Sequence, residues 1–198
     1  MQARIATIFV FLLSLSSASV AHGRRSSSRR LVMSHGDEPC EKMRLYFHDI
    51  LYDVSNSTAN STSAVVAKPT ALLQATMNAS VFGTMMVFDD PMTEGKALPP
   101  ALEETAVRAQ GLYFYDQRRA PSDAWFAFSV VFNSTERRGT LSVMGADIVA
   151  EETRDLSVVG GTGDFFMARG VATLRGDAVE GFKYFRLQMD IKLYECYA

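Results

Sequence analysis

The sequence predicts an all-β fold, and three observations lead to that prediction. From Arg44 onward the chain is a series of short apolar runs separated by Pro, Gly, Asp and Ser. The last run, 183–196, alternates apolar and polar residues, as expected for a strand with one buried face. The only helix-like window, 101–107, is short. Short strands separated by turn signals favour a β-sandwich or a β-barrel.

Nine strands are predicted in order along the body of the chain. They cover residues 44–53, 63–68, 83–89, 107–117, 124–133, 139–149, 155–160, 165–175 and 183–196. Turn residues are expected at 89–91, 98–100, 120–123, 137–139 and 160–163. With about eight long strands and few protected edges, closure into a barrel is favoured because closure removes edge strands. A barrel of that size can hold one small ligand.

The amino-terminal segment is typical of a protein that enters the secretory pathway. Residues 1–21 combine an early positive charge, an apolar stretch from Ile5 to Leu15 and small residues at 19–21, as in a signal peptide. A membrane anchor is the weaker alternative, because a spanning helix needs roughly 20 apolar residues. Residues 22–38 are predicted to be a disordered Arg/Ser-rich leader, and residues 39–198 a single barrel domain.

Charge is unevenly distributed along the chain. From Leu31 onward there are 15 basic and 22 acidic residues, a net charge of −7. Nucleic acids and anionic membranes are bound by clustered Lys and Arg, so the domain is a poor candidate for either. His48 is the only histidine inside the predicted domain. This disfavours a His-rich metal site and a Ser-His-Asp triad.

Sequons and cysteines agree with export. All four asparagines, Asn56, Asn60, Asn78 and Asn133, begin an N-x-[ST] sequon, although glycosylation of every one is not expected. Cys40 and Cys196 lie at the two ends of the domain and are expected to pair in an oxidising compartment. Two free buried thiols are the alternative. With no third cysteine, a zinc or redox role has little support.

Two aspartates are the main candidates for chemistry. Asp49 and Asp147 each share a predicted strand face with apolar residues, near the end of the strand. An apolar setting raises the pKa of a carboxyl group and makes it a candidate general acid. The alternative for each is a structural role in a strand-end turn or a salt bridge. Arg154 follows Asp147 after a turn and could orient a carboxylate or form a solvated ion pair.

Aromatic and glycine clusters give less specific signals. Tyr113, Phe114 and Tyr115 alternate within one strand, so they either pack in the core or line a pocket for an aromatic ligand. The run Gly160–Gly163 lacks the Lys-Ser/Thr of a phosphate loop and is interpreted as a bend. The residues alone therefore predict a secreted, glycosylated barrel that binds an apolar or aromatic small molecule.

Several longer runs resemble plant dirigent proteins, and the resemblance covers essentially all of 40–197. These runs are YFHDILYD at 46–53, FDDP at 88–91, RAQGLYFYD at 108–116, FNST at 132–135, MGAD at 144–147, RDLSVVGGTGDFFMARG at 154–170 and LYECY at 193–197. Resemblance to the lignan-forming group implies an eight-stranded antiparallel barrel of the allene oxide cyclase type, which is calycin-like, assembled as a homotrimer in the apoplast or cell wall.

The resemblance also implies an activity. A laccase or another oxidase would make radicals of a monolignol such as coniferyl alcohol. The barrel would hold them so that 8-8′ coupling gives one enantiomer of pinoresinol. The implied protein has no oxidative activity of its own and no metal or other cofactor. The runs 144–147 and 189–192 are more similar to members that form (−)-pinoresinol.

The family pattern implies a set of pocket residues. Acidic and basic groups are expected at Asp49, Asp147 and Arg154. The wall is expected to include Tyr113, Tyr115 and Phe185. One departure concerns a Thr-Asp pair beside the pocket, because this chain has Gly176-Asp177 and so lacks that hydroxyl. Either a water replaces it or the pocket differs in selectivity or substrate.

Two other functions fit the same sequence. The first is an enzyme that dehydrates an isoflavonoid alcohol through a quinone methide, as related dirigent-like proteins do. The second is a defence or cell-wall protein that acts by binding carbohydrate, which a fused lectin domain would favour. No lectin domain is seen in this sequence.

Overall fold

The computed structural model describes residues 30–33, 38–51, 57–68, 82–120, 122–181 and 183–197. A short 3-10 helix, Leu102–Glu104, lies in the predicted helix-like window. The strands are β1 Leu31–Met33, β2 Glu41–Ile50, β3 Ser63–Ala67, β4 Met85–Thr93, β5 Val107–Phe114, β6 Ala124–Asn133, β7 Arg138–Asp147, β8 Arg154–Gly163, β9 Arg169–Glu180 and β10 Tyr184–Tyr197.

Eight of these strands close into an antiparallel barrel, which confirms the predicted fold. Their order around the barrel is β2-β4-β5-β6-β7-β8-β9-β10, and β10 pairs with both β9 and β2. Strand β1 pairs with the end of β10, and β3 pairs with the first half of β4. The closed circle gives each of the eight strands a partner on both sides, which removes the edge-strand liability.

The core fills the barrel because side chains alternate strictly between the inside and the outside. Strand β6 shows this most clearly, since every second residue from Ala124 to Phe132 is buried. The ring of Phe88 lies 5.7 Å from that of Phe128 and 6.1 Å from that of Phe126, measured between centroids. Each fully buried side chain of this size contributes about 1.5–3 kcal/mol, so the aromatic layer is a main source of stability.

The predicted disulfide is present. Cys40 and Cys196 are joined with an S–S distance of 2.11 Å, immediately before β2 and near the end of β10. These two strands are neighbours in the barrel. In the chain-entropy model a cross-link closing so long a loop stabilises the fold by up to about 5 kcal/mol.

Two predicted turns are wrong because both lie wholly within strands, and two residues of a third, 137–139, belong to β7. Asp89, Asp90 and Pro91 belong to β4. On one edge of β4, β3 pairs with residues up to Phe88 and β2 pairs with residues from Met92 onward, which leaves a gap at residues 89–91. Pro91 is tolerated in the strand because its nitrogen, which has no hydrogen to donate, faces this gap. The glycine-rich run at 160–163 completes β8 instead of forming a bend.

Terminal and glycosylation predictions fall partly outside the described residues. The predicted signal peptide, 1–21, lies there, as do Asn56 and Asn78. Three residues of the predicted leader form β1. Asn60 and Asn133 are exposed. Within the described ranges, no helix is long and apolar enough to cross a membrane.

Candidate functional site

The barrel gathers the predicted site residues at one end. Neighbouring strands run in opposite directions, so the carboxyl ends of β2, β5, β7 and β9 meet the amino ends of β4, β6, β8 and β10. We call this the site end. Positions far apart in the sequence converge there, namely Asp49, Tyr113, Tyr115, Asp147, Arg154, Gly176 and Phe185.

Asp147 and Arg154 form a buried ion pair at this end. Asp147 ends β7 and Arg154 begins β8, so the intervening turn returns the chain to the same face. Arg154 Nε donates to Asp147 Oδ1 over 2.6 Å, and each side chain is 8% exposed. Arg154 therefore orients a carboxylate, which is one of the two roles that the sequence left open.

Asp49 lies in a different environment. It is opposite Phe185 in the pairing of β2 with β10. The Ser63 hydroxyl donates a 2.6 Å hydrogen bond to its Oδ1. Burial raises the pKa of Asp49 to about 6, although the Ser63 hydrogen bond opposes the shift. A carboxyl group with that pKa can both donate and accept a proton near neutral pH.

Asp90 is a buried carboxyl group that sequence reasoning missed. It has no exposed surface, and neither oxygen has a hydrogen-bond partner among the described residues. Burial raises its pKa well above the usual range, the charge of Asp49 raises it further, and the charge of Arg108 opposes the shift. The raised pKa favours the protonated form of Asp90, which can donate a hydrogen bond.

A sequence signal for Asp90 does exist. Met86, Phe88, Asp90 and Met92 alternate along β4 and are all buried. The prediction ended this strand at residue 89 because Asp-Asp-Pro is a strong turn signal. Continuing the alternation past Pro91 would have placed Asp90 on the interior face.

Two tyrosines lie between the acidic groups. The rings of Tyr113 and Tyr115 are 5.7 Å apart and nearly perpendicular, and Tyr113 stacks on Phe126 at 4.9 Å. Burial raises the pKa of both phenols, and the charge of Asp49 adds to the effect. The charge of Asp147 also raises the pKa of Tyr115. Both phenols therefore stay protonated and can donate hydrogen bonds to a ligand.

Gly176 and Asp177 have separate surroundings. Gly176 is opposite Leu187 of β10 and exposed, and a Cβ added there would meet nothing within 4 Å. Asp177 instead forms salt bridges with Arg186 and Lys96, each at 2.6 Å. Of this pair only Gly176 keeps the interior alternation of Ala172 and Leu174. The departure from the family pattern therefore leaves an open space at the site end.

His48 takes no part in the barrel interior. Its ring is fully buried, with one nitrogen 2.7 Å from the Tyr184 hydroxyl and the other 2.6 Å from Thr93 Oγ1. Burial lowers its pKa to about 4, and the positive charge of Arg186 lowers it further. His48 is next to Asp49 in the strand and therefore points to the opposite side of the sheet. Among the described residues, no group of three or more His, Cys, Asp or Glu is arranged to hold a metal ion.

Known sequences are similar to this chain over nearly its whole length. The profile of the family described as Dirigent-like protein matches residues 40–194. Dirigent protein 5 of Arabidopsis thaliana is 46% identical over 190 residues, which is 96% of each chain. A dirigent protein of Sinopodophyllum hexandrum is 44% identical over 198 residues, again with 96% of each chain covered. Pterocarpan synthase 1 of Glycyrrhiza echinata is 28% identical and covers 78% of this chain and 81% of its own.

Solved structures have the same fold. The pterocarpan synthase dirigent protein GePTS1 superposes with a TM-score of 0.67 at 24% identity, covering 86% of this chain and 93% of its own. The pterocarpan synthase dirigent protein PsPTS1 gives a TM-score of 0.65 at 25% identity, covering 79% and 95%.

Proposed function

Because this chain belongs to the dirigent family, we propose that it directs the stereoselective coupling of phenolic radicals. The proposed substrates are coniferyl alcohol radicals produced by a laccase or another oxidase. Their 8-8′ coupling then gives one enantiomer of pinoresinol in lignan biosynthesis, with the (−) form favoured by the runs at 144–147 and 189–192. The protein itself supplies no oxidising power in this proposal.

The residues at the site end are the main support for the proposed function. It combines carboxyl groups of two kinds with two protonated phenols in an aromatic interior. Aromatic walls can stack on phenolic rings, while the phenols and Arg154 can bind their oxygens. Holding two radicals in one relative orientation selects which faces join, and this selection is what stereoselective coupling requires.

Acid and base groups are needed after the carbon–carbon bond forms. Coupling at C8 of each radical gives a bis-quinone methide. Each side-chain hydroxyl then adds to a quinone methide carbon, losing a proton while the ring oxygen gains one, so no oxidant is consumed. We assign Asp49 and Asp147 as the acid/base groups and Arg154 as the positioning cation, with Asp90 as an additional proton donor beside Asp49. General acid–base assistance is typically worth about 10²–10⁴-fold.

A homotrimer in the apoplast or cell wall completes the proposal, with N-glycans on exposed sequons such as Asn60 and Asn133 and a role in plant defence. An apolar row on the outside of the barrel supports self-association. Val87, Leu112, Ala127 and Met144 are successive partners across β4, β5, β6 and β7, and Val87 and Met144 are each 37% exposed. Apolar rows of this kind are typical of interfaces between subunits.

Chiral chromatography tests the proposed function. Coniferyl alcohol is oxidised by a laccase with and without the purified protein, and the enantiomers of pinoresinol are separated. We expect one enantiomer in excess only when the protein is present, with unchanged oxygen uptake. Racemic pinoresinol at every protein concentration would contradict the proposal, as would oxygen uptake by the protein without laccase.

A second candidate is a dehydratase of the pterocarpan synthase type. The similarity to pterocarpan synthase 1 and the open space at Gly176 favour it. In this reaction an isoflavonoid alcohol would lose water through a quinone methide, using the same acid and base groups. Incubation of the protein with that alcohol, without any oxidase, separates the two candidates, because only the dehydratase would consume it.

A further inference from the structure

A cationic groove lies on the outer face of the barrel, away from the site end. Strands β2, β10 and β9 form its floor, and its volume is about 500 Å³. Its charged residues are Lys42 and Arg44 of β2, Asp190 and Lys192 of β10, and Arg175 of β9. We call this surface the cationic groove.

Strand register places these charges side by side. Lys42 is directly opposite Lys192, and Arg44 is directly opposite Asp190. Arg175 lies in the next row, opposite Gln188. Neighbouring strands are about 4.8 Å apart and alternate residues of one strand about 6.7 Å apart. Four cations therefore lie within a few strand spacings of the Asp190 carboxylate, and Asp155 of β8 borders the groove through its hydrogen bond with Thr173.

Two of these four cations have no ion-pair partner among the described residues. Arg44 Nε lies 2.5 Å from Asp190 Oδ1, and Gln188 donates to the same carboxylate over 2.9 Å. Lys42 is 3.8 Å from the exposed Glu38. Lys192 and Arg175 are exposed and have no ion-pair partner among the described residues. Lys96, Arg108 and Arg186, elsewhere on the barrel, are bonded to carboxylates at 2.6 Å.

We propose that the cationic groove docks a polysaccharide that carries carboxylates, a polyuronate chain. The two cations without an ion-pair partner give this surface a local excess of positive charge, which attracts an anionic partner although the domain as a whole has a net charge of −7. Nucleic acid is disfavoured because duplex DNA has one charge per about 1.7 Å and needs many more cations than this groove offers. A polyuronate carries only one charge per sugar, so the acidic remainder of the domain repels it less.

The surface proposed for self-association and the exposed sequon at Asn133 do not overlap the cationic groove. The apolar row proposed for self-association lies on β4 to β7, and the groove lies on β9, β10 and β2. The exposed sequon at Asn133 ends β6, which is the barrel strand opposite β10. Coupling would take place inside the barrel, whereas binding of a polyuronate to the outer face would only retain the protein where that polysaccharide is present. The two proposals are therefore independent.

The experiment measures binding of the full glycosylated chain to soluble polygalacturonate at 20 and 200 mM NaCl. We expect saturable binding at low salt that weakens at least about ten-fold at high salt, since the contacts are ionic. The double variant Arg175→Glu/Lys192→Glu should bind at least about ten-fold more weakly. The matched control Lys68→Glu/Arg119→Glu, which changes the net charge equally at two exposed positions outside the groove, should bind like the parent chain.

Three results would overturn the proposal. One is equal loss of binding in the groove variant and the matched control, which would mean that net charge alone matters. Another is equal binding of fully methyl-esterified polygalacturonate, which lacks the carboxylates. The third is tighter binding to a duplex DNA oligonucleotide of the same total charge. The variant Arg175→Gln/Lys192→Gln repeats the test without charge reversal, and circular dichroism checks that each variant is folded.

Discussion

The two acidic regions of the barrel interior differ in one respect, the presence of a cation. Asp147 forms an ion pair with Arg154, whereas Asp49 and Asp90 lie near each other and neither belongs to an ion pair among the described residues. Arg154 thus fixes the position of Asp147. Asp49 and Asp90 instead keep protons at pH values where an exposed aspartate has lost them. One barrel therefore contains a carboxyl group held by a cation and two carboxyl groups whose pKa values are raised by burial.

The difference also explains how such a site stays folded. Isolated charges are costly in an apolar interior, and a protein avoids the cost either by pairing the charge or by retaining the proton. The region of Asp147 uses the first solution and the region of Asp49 the second. Removing the cation from one region, or the proton from the other, should therefore destabilise the fold in both cases, because each change leaves a buried carboxylate without compensation.

The largest effect is expected from Arg154→Met. The substitution leaves the Asp147 carboxylate buried without its cation, and breaking a buried pair in this way costs about 3–5 kcal/mol. Urea unfolding followed by circular dichroism measures the loss. The double variant Arg154→Met/Asp147→Leu removes both charges and should recover most of the stability. A single variant as stable as the parent chain would show that the ion pair is not needed in the folded protein.

The next effect concerns catalysis and compares the two aspartates directly. Asp49→Asn and Asp147→Asn keep the shape of the side chain and remove its proton transfer. Each variant should remain folded and give mostly racemic pinoresinol in the laccase assay. The selectivity of the parent chain should also change around pH 6, where Asp49 titrates, and Asp49→Asn should lose that change.

These two variants also separate the acid/base role from a structural one. Asp147→Asn should still show the change around pH 6, because Asp49 remains. Full stereoselectivity of Asp147→Asn at every pH would make Asp147 a structural strand-end residue. Full stereoselectivity of Asp49→Asn would remove the titrating region from the mechanism.

A smaller effect is expected on the pH dependence of stability. The pKa of Asp49 is about 6 in the folded protein, above the ordinary value near 4, so the folded state binds a proton more tightly than the unfolded state. The resulting stabilisation is present below pH 4 and is lost as the pH rises through 6. Relative to Asp49→Asn, the parent chain should lose on the order of 2 kcal/mol over that interval.

Asp90 allows the same measurement on a second buried carboxyl group. Its pKa is also raised, so its contribution to stability should likewise be lost as the pH rises. Urea unfolding of the parent chain, Asp49→Asn and Asp90→Asn at several pH values checks both expectations. Parallel curves for all three proteins would contradict the raised pKa values of Asp49 and Asp90.

Local patterns predicted the parts of the site that depend on one strand at a time. Alternation placed Asp49 and Asp147 on apolar faces, and the short turn between β7 and β8 placed Arg154 near Asp147. The contact of Ser63 with Asp49 could not be found in this way, because it depends on β3 entering the gap between β2 and β4. Asp90 was missed because a local turn signal outweighed a strand that tertiary pairing maintains through Pro91.

The smallest effect is expected from Gly176→Thr, which probes the boundary between the two regions. Gly176 lies on β9, which is the strand between β8 and β10. It is two residues from Leu174, the partner of Arg154 on β8, and it is opposite Leu187, which is two residues from Phe185 on β10. A Cβ there meets nothing within 4 Å, and threonine is favoured in strands, so stability should change by less than about 1 kcal/mol.

The new hydroxyl restores the residue that the family pattern has at this position and can hydrogen-bond a phenolic oxygen. If the open space only weakens the hold on a monolignol radical, the excess of the same enantiomer should rise in the laccase assay. Gly176→Val is the matched control, because it fills a similar volume without a hydroxyl and should not raise the excess. Equal products from both variants would mean that volume, and not hydrogen bonding, sets selectivity at this boundary.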